Sequence, residues 1–207
     1  MAAFNVPNLL TYGRIAAVPV VVACYALPGL PSVGSRWLAL VLFVVAAITD
    51  FLDGYLARAW KQQSSLGRML DPIADKLLVA ACLIVLVDVR TIAGLDVVAA
   101  VVILSREILV SGLREYLAEL RVGVPVTWLA KWKTAAQMVS VGFLILGPAG
   151  DDVFALTTIF GRVLLWISAI LTLYTGYDYF RAGIRHVMGT AVDDAGGPPA
   201  GSGGATR

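Results

Sequence analysis

The chain has 207 residues, 59% of them hydrophobic and only 14% charged, with a formal net charge of +2. Its mean hydropathy is +0.83. A soluble domain would carry about 25% charged residues, so a water-exposed globular protein is excluded and one polytopic membrane domain is expected.

Six apolar stretches follow one another, at about 9–28, 37–57, 73–89, 95–118, 129–148 and 159–181. Each approaches the ~20 residues that cross a hydrocarbon core as a helix. The expected fold is therefore all-α, an integral membrane protein with six transmembrane helices. In the first stretch, Val21-Val22-Ala23-Cys24 after Arg14 loosely resembles a lipoprotein cleavage site. Pro19 interrupts the apolar region such a signal needs, so the segment reads as a retained span. Cys24 and Cys82 both fall in apolar helices and read as packing residues rather than as a disulfide framework. Residues 190–207, rich in Gly, Ala and Pro, are expected to be a disordered tail behind a membrane domain of residues 1–189. No internal repeat is evident.

Charge orients the spans. If they alternate, one side receives Arg58, Lys61, Arg68, Lys76, Arg114, Arg121, Lys131, Lys133, Arg181 and Arg185. The other receives Arg36, Arg90 and Arg162, with Asp88, Asp96, Asp151 and Asp152 nearby. The positive-inside rule places the first group, and both termini, in the cytoplasm.

Between the second and third spans the chain gathers Asp50, Asp53, Asp71 and Asp75. Carboxylates at i,i+3 and i,i+4 project from one helix face, so two helices joined by a short loop aim all four at one spot. Four like charges near a bilayer do not stay ionised together without cations among them. A divalent-metal site at the cytoplasmic membrane surface is the economical reading, and hard cations with oxygen ligands handle phosphates. Gly54 and Ala57 are small residues on the aspartate face, suited to a close nucleotide or to close helix packing. Arg58 is placed to contact a phosphate or to anchor the helix at the interface, and Ser64 can offer a hydroxyl from the loop.

The full pattern, D-x2-D-G-x2-A-R-x8-G-x3-D-x3-D, resembles the signature of the CDP-alcohol phosphatidyltransferases at every fixed position. Its eight fixed residues would arise by chance with a probability on the order of 10⁻¹⁰ per start position. The resemblance implies Asp50, Asp53, Asp71 and Asp75 as ligands of two Mg²⁺ or Mn²⁺ ions, with Asp75 also the base for an acceptor hydroxyl. It implies Gly54, Arg58 and Ser64 as holders of the CDP group. The implied reaction is attack by an alcohol on the β-phosphate of CDP-diacylglycerol, releasing CMP. A homodimer in the bacterial inner membrane is implied as well, with no nucleic-acid partner.

The acceptor is read from spans four and five. Ionisable residues lie inside span four, in Ser105-Arg106-Glu107 and Gly112-Leu113-Arg114-Glu115-Tyr116. Such residues line a cavity or pair with each other, and Glu107 with Arg114 is one available pair. Span five opens with Lys131-Trp132-Lys133-Thr134, and Gln137 follows one turn beyond Lys133. Two lysines at a helix end ordinarily snorkel. With Arg106 and Arg114, however, Lys131 and Lys133 supply more positive charge than anchoring needs, and an acceptor bearing a phosphate would use it.

These segments resemble the bacterial members of that family that make phosphatidylglycerophosphate. So does the opening Val6-Pro7-Asn8-Leu9-Leu10-Thr11-Tyr12-Gly13-Arg14, in which Asn8, Thr11 and Arg14 recur at helical spacing. On that resemblance Asn8, Thr11 and Ala57 join the CDP-diacylglycerol site, and glycerol 3-phosphate is the expected acceptor. Inositol phosphate, phosphatidylglycerol or serine remain alternative acceptors, serine being disfavoured because it brings no phosphate. A cation-coupled transporter is the reading from another class, but such sites sit near the bilayer midplane within broken or repeated helices. Tyr177, Tyr179 and Arg181 read as an interfacial belt.

Overall fold

A computed structural model describes residues 6–27, 29–59, 65–119 and 128–195, all of whose regular structure is helical. Six long helices and one short one follow in order: α1 (Val6–Ala26), α2 (Val33–Ala59), α3 (Ser65–Asp88), α4 (Asp96–Glu119), α5 (Trp128–Leu146), α6 (Pro148–Asp151) and α7 (Thr157–Ala195).

Local chemistry sets several boundaries. Pro7 occupies the first turn of α1, where its missing N–H costs nothing. At the start of α2 the backbone N–H of Ser35 donates to Ser32 Oγ at 3.2 Å, and that of Ser32 donates to Ser35 Oγ at 2.9 Å. This reciprocal pair satisfies two donors at that helix start, as a capping box does. α5 stops at Gly147, whose φ of 49° suits a glycine. α7 is described as far as Ala195, so residues 190–195 are helical although the tail was expected to begin at 190. The run Ala191-Val192-Asp193-Asp194-Ala195 holds neither Gly nor Pro, and the sequence turns to Gly196-Gly197-Pro198-Pro199 only afterwards.

α3 is the central element. Ala74, Leu78, Val79, Cys82, Leu83, Val85 and Leu86 are all buried, in a core shared with Val21 and Tyr25 of α1, Phe43 of α2, Ile103 of α4, Leu144 of α5 and Leu165 of α7. Cys24 and Cys82 are buried free thiols. α1 packs on α2 and α3, while α7 packs on α4 and α5. A Cβ on Gly161 would stand 2.8 Å from Leu144 Cγ, which shows how closely α5 and α7 approach. Ser140 Oγ donates to the Gly161 carbonyl at 2.8 Å across that seam.

The outer surface is apolar. Leu38, Val41, Val45 and Ile48 of α2, Ile108 and Leu109 of α4, and Val163, Ile170 and Leu173 of α7 are exposed, as side chains facing lipid would be. Among the described residues, 3 helices are long and apolar enough to cross a membrane: Leu9–Ala26, Val33–Asp50 and Thr157–Tyr177. The other long helices carry their own charges, such as Asp75 and Lys76 on α3, Arg106 and Glu107 on α4, and Lys131 and Lys133 on α5. Those charges lower the hydropathy of their helices.

At the end away from the aspartates, a polar knot closes the bundle. The buried Arg36 guanidinium donates to Thr91 Oγ1 and to the Ile145 carbonyl, each at 3.3 Å, and to the Leu146 carbonyl at 3.4 Å. The last carbonyls of α5 are thereby satisfied by a cation, which also complements the helix dipole. Tyr25 donates its hydroxyl to the Ile145 carbonyl at 2.6 Å, and its ring lies under Arg36 at 5.4 Å. A Cβ on Gly147 would meet Arg36 Nη1 at 2.8 Å, so glycine serves there for space as well as for φ.

Candidate active site

The carboxylate end is assembled around Arg14. This residue of α1 is 1% exposed, so its charge lies inside the helical bundle. A buried cation in such a place is stable only when paired. Arg14 Nη1 lies 2.6 Å from Asp50 Oδ1 of α2 and 3.4 Å from Asp75 Oδ1 of α3. One nitrogen thus draws carboxylates from two other helices to a common point. The Asp50 and Asp75 side chains are 36% and 47% exposed, so the acidic groups open outward while the guanidinium closes the floor. Thr11 is buried one turn before Arg14, on the same face of α1.

Of the four aspartates picked out in the sequence, Asp50 and Asp75, 25 positions apart, have described side chains, and both meet Arg14. Asp53, Gly54, Ala57 and Arg58 lie on α2, Asp71 on α3 and Asn8 on α1. The side chains at these positions fall outside the described residues, as does the whole of Ser64. Among the described residues no group of three or more acidic, His or Cys side chains forms a complete metal cage. What is present fits a hard cation in kind, since two carboxylates from different helices face a common positive charge and oxygen donors suit Mg²⁺ or Mn²⁺.

The basic cluster of α4 and α5 divides in two. Arg106 is buried and engaged with α7: Nε donates to the Thr172 carbonyl at 3.1 Å and Nη2 to Thr175 Oγ1 at 3.0 Å. Its Nη1 pairs with Glu107 Oε1 at 3.2 Å. A Cβ on Gly176 would press against Arg106 Cγ at 3.1 Å, so α7 leaves room for this side chain. Lys133 is 5% exposed and pairs with the same Glu107 oxygen, joining α5 to α4. It does not snorkel. Arg114 and Lys131 are exposed. Gln137, one turn beyond Lys133 on the same face, is buried, and its Oε1 has no hydrogen-bond partner among the described residues.

Two features were not assigned from the sequence. Arg14 was noted for its spacing with Asn8 and Thr11, a signal that one face of α1 looks into the site, but its contact with two aspartates is a tertiary fact. The pairing of Glu107 with Lys133 was likewise hidden, because Arg114 on the same helix was the partner visible in sequence.

The family model for CDP-alcohol phosphatidyltransferase matches residues 4–174 of the chain. A curated relative from Rickettsia bellii (strain RML369-C) is 48% identical over 178 residues, covering 86% of this chain and 94% of its own. One from Escherichia coli (strain K12) is 39% identical over 181 residues, covering 86% and 94%. One from Cereibacter sphaeroides is 37% identical over 217 residues, covering 89% and 97%. All three bear the name CDP-diacylglycerol–glycerol-3-phosphate 3-phosphatidyltransferase.

Proposed function

Because the chain belongs to the CDP-alcohol phosphatidyltransferase family, we propose that it transfers the phosphatidyl group of CDP-diacylglycerol to sn-glycerol 3-phosphate. The products are phosphatidylglycerophosphate and CMP. The observation that carries this reading is the convergence of Asp50 and Asp75 on Arg14, at the signature aspartates of a chain whose relatives share that name.

Asp75 takes the proton of the acceptor hydroxyl, which is a weak nucleophile at neutral pH. The hydroxyl oxygen forms a bond to the β-phosphorus while the bond from that phosphorus to the bridging oxygen breaks, and CMP departs with that oxygen. Two Mg²⁺ or Mn²⁺ ions held by Asp50, Asp53, Asp71 and Asp75 would supply neutralisation of the diphosphate and polarisation of its phosphorus. Asn8, Thr11, Gly54, Ala57, Arg58 and Ser64 hold the CDP group. Arg114, Lys131 and Lys133 receive the phosphate of the acceptor. Arg106 supports them from behind, since its guanidinium is already committed to Thr172, Thr175 and Glu107.

All six long helices span the bilayer in this reading, with both termini and the aspartates at the cytoplasmic face of the bacterial inner membrane. The excess of Lys and Arg on that side supports the orientation. A homodimer is the proposed assembly. Incubating the purified protein with CDP-diacylglycerol and a panel of alcohols, and following CMP release, tests the reaction. Release that depends on glycerol 3-phosphate is expected; release with a different alcohol alone would reassign the acceptor.

A further inference from the structure

We propose that Arg14 is a built-in counter-cation: it fixes the spacing of Asp50 and Asp75 and keeps the site's hold on divalent metal weak until a substrate diphosphate arrives. The inference rests on the metal-dependent reading above and goes beyond it.

Three observations carry it. The guanidinium is almost wholly buried, so its charge is poorly screened by water and acts at close range. Its Nη1 contacts Asp50 and Asp75 together, which makes it a bridge between α2 and α3 rather than the partner of one carboxylate. Both carboxylates keep more than a third of their side-chain surface exposed, so they remain accessible from the side opposite Arg14.

Charge then decides the role. Four ionised aspartates are balanced by two divalent ions, and Arg14 leaves the loaded site with one positive charge in excess. A diphosphate offsets that excess; without it, any ions bound would remain under the repulsion of Arg14. Metal and nucleotide are coupled for this reason, and the coupling is reciprocal. Arg14 is a positioning residue, since it acts through the carboxylates.

The test is direct titration of free Mn²⁺, read by electron paramagnetic resonance, against the full-length protein in lipid nanodiscs without CDP-diacylglycerol. Wild-type protein is titrated first. If it takes up no Mn²⁺ even after CDP-diacylglycerol is added, the metal-dependent reading itself fails, and the inference with it. Given binding by wild type, Arg14→Gln is expected to bind Mn²⁺ at least about tenfold more tightly, because a unit charge within a few ångströms of a dication repels it strongly at protein dielectric. Arg14→Lys, which keeps the charge, is expected to return most of the way to wild type. A residue that merely pins helices makes the opposite forecast, since its loss lets the carboxylates splay apart. Unchanged or weaker Mn²⁺ binding by Arg14→Gln overturns the inference. Thermal melting gives a second readout, in which the metal-free variant melts below wild type and gains more from saturating Mn²⁺. A variant that stays unfolded in saturating Mn²⁺ overturns it too.

Discussion

Lys133 is the residue at which packing and acceptor recognition are most easily confused, and its pairing with Glu107 allows them to be separated. Replacing it with Gln removes one cation from the proposed acceptor site and leaves Glu107 with Arg106 as its remaining ion-pair partner among the described residues. If Lys133 grips the phosphate of glycerol 3-phosphate, a charge-assisted hydrogen bond of roughly 1.5–3 kcal/mol is lost, about a ten- to hundred-fold fall in acceptor kcat/KM. The KM for CDP-diacylglycerol is expected to change far less. If Lys133 serves only to neutralise Glu107, the loss comes from a carboxylate that keeps Arg106 but lacks its second cation, and both substrates and the melting temperature suffer together. The double variant Lys133→Gln/Glu107→Gln decides between them. In the double variant Arg106 keeps its hydrogen bonds to Thr172 and Thr175, and acceptor efficiency stays low only if Lys133 binds phosphate. The assay is steady-state CMP release with each substrate varied separately, completing a double-mutant cycle. A double variant with wild-type acceptor efficiency would refute the phosphate-binding role.

Asp75→Asn is expected to abolish turnover while retaining much of the CDP-diacylglycerol binding, because the amide matches the carboxylate in shape but takes no proton; near-normal CMP release from the purified variant removes Asp75 from the base role. Exhaustive chelation is expected to stop the reaction and added Mg²⁺ or Mn²⁺ to restore it, and activity that survives chelation contradicts the metal-dependent mechanism. At the start of α7, Thr158 donates its backbone N–H to Asp151 Oδ1 at 2.9 Å and its hydroxyl to Asp151 Oδ2 at 2.5 Å. The hydroxyl first, and then the backbone N–H, hold that carboxyl below its usual range. Its contribution is therefore complete above the unfolded carboxylate pKa of about 3.9 and fades as pH falls through the lower folded value. Asp151→Ala is expected to cost about 1 kcal/mol at neutral pH, as the loss of a helix cap does, with the melting difference closing at strongly acidic pH; a difference independent of pH would contradict the assignment.

What could be read in advance followed the range of the interactions involved. The positions of the long helices were legible because each apolar stretch is close to helix-spanning length, even where charged residues interrupt it as in the fourth. That α2 and α3 would bring carboxylates near one another was legible because each helix carries an aspartate pair at i,i+3 or i,i+4 and a short loop joins them. Of these, the described side chains of Asp50 and Asp75 meet at Arg14. The identity of the partner present, Arg14, was not legible, since a lone arginine in an apolar helix reads equally as an anchor or as a pair. Arg106 was recognisable as an ionisable residue that had to be satisfied inside the membrane domain. Its acceptors, the Thr172 carbonyl and the Thr175 hydroxyl, come from a helix more than sixty positions away and leave no local trace. Arg36 entered the reading only as a charge on one side of the membrane, and its capture of the α5 carbonyls depends on how α2 and α5 are packed.

The Arg36 knot and the Arg14 cluster hold the two ends of the bundle by different kinds of contact. The knot ties α1, α2, the turn after α3 and the end of α5 through hydrogen bonds to backbone and hydroxyl oxygens, shielded from water. Asp50 lies 14 positions further along α2, about 21 Å at the rise of a helix. There the helices are joined by ionic contacts to half-exposed carboxylates, which solvent and ligands can exchange. A clothes-peg has this construction, with a fixed spring at one end and jaws at the other. A lipid entering sideways from the bilayer would meet the jaws, and the same closure at the far end would deny protons and ions a route through to the opposite compartment.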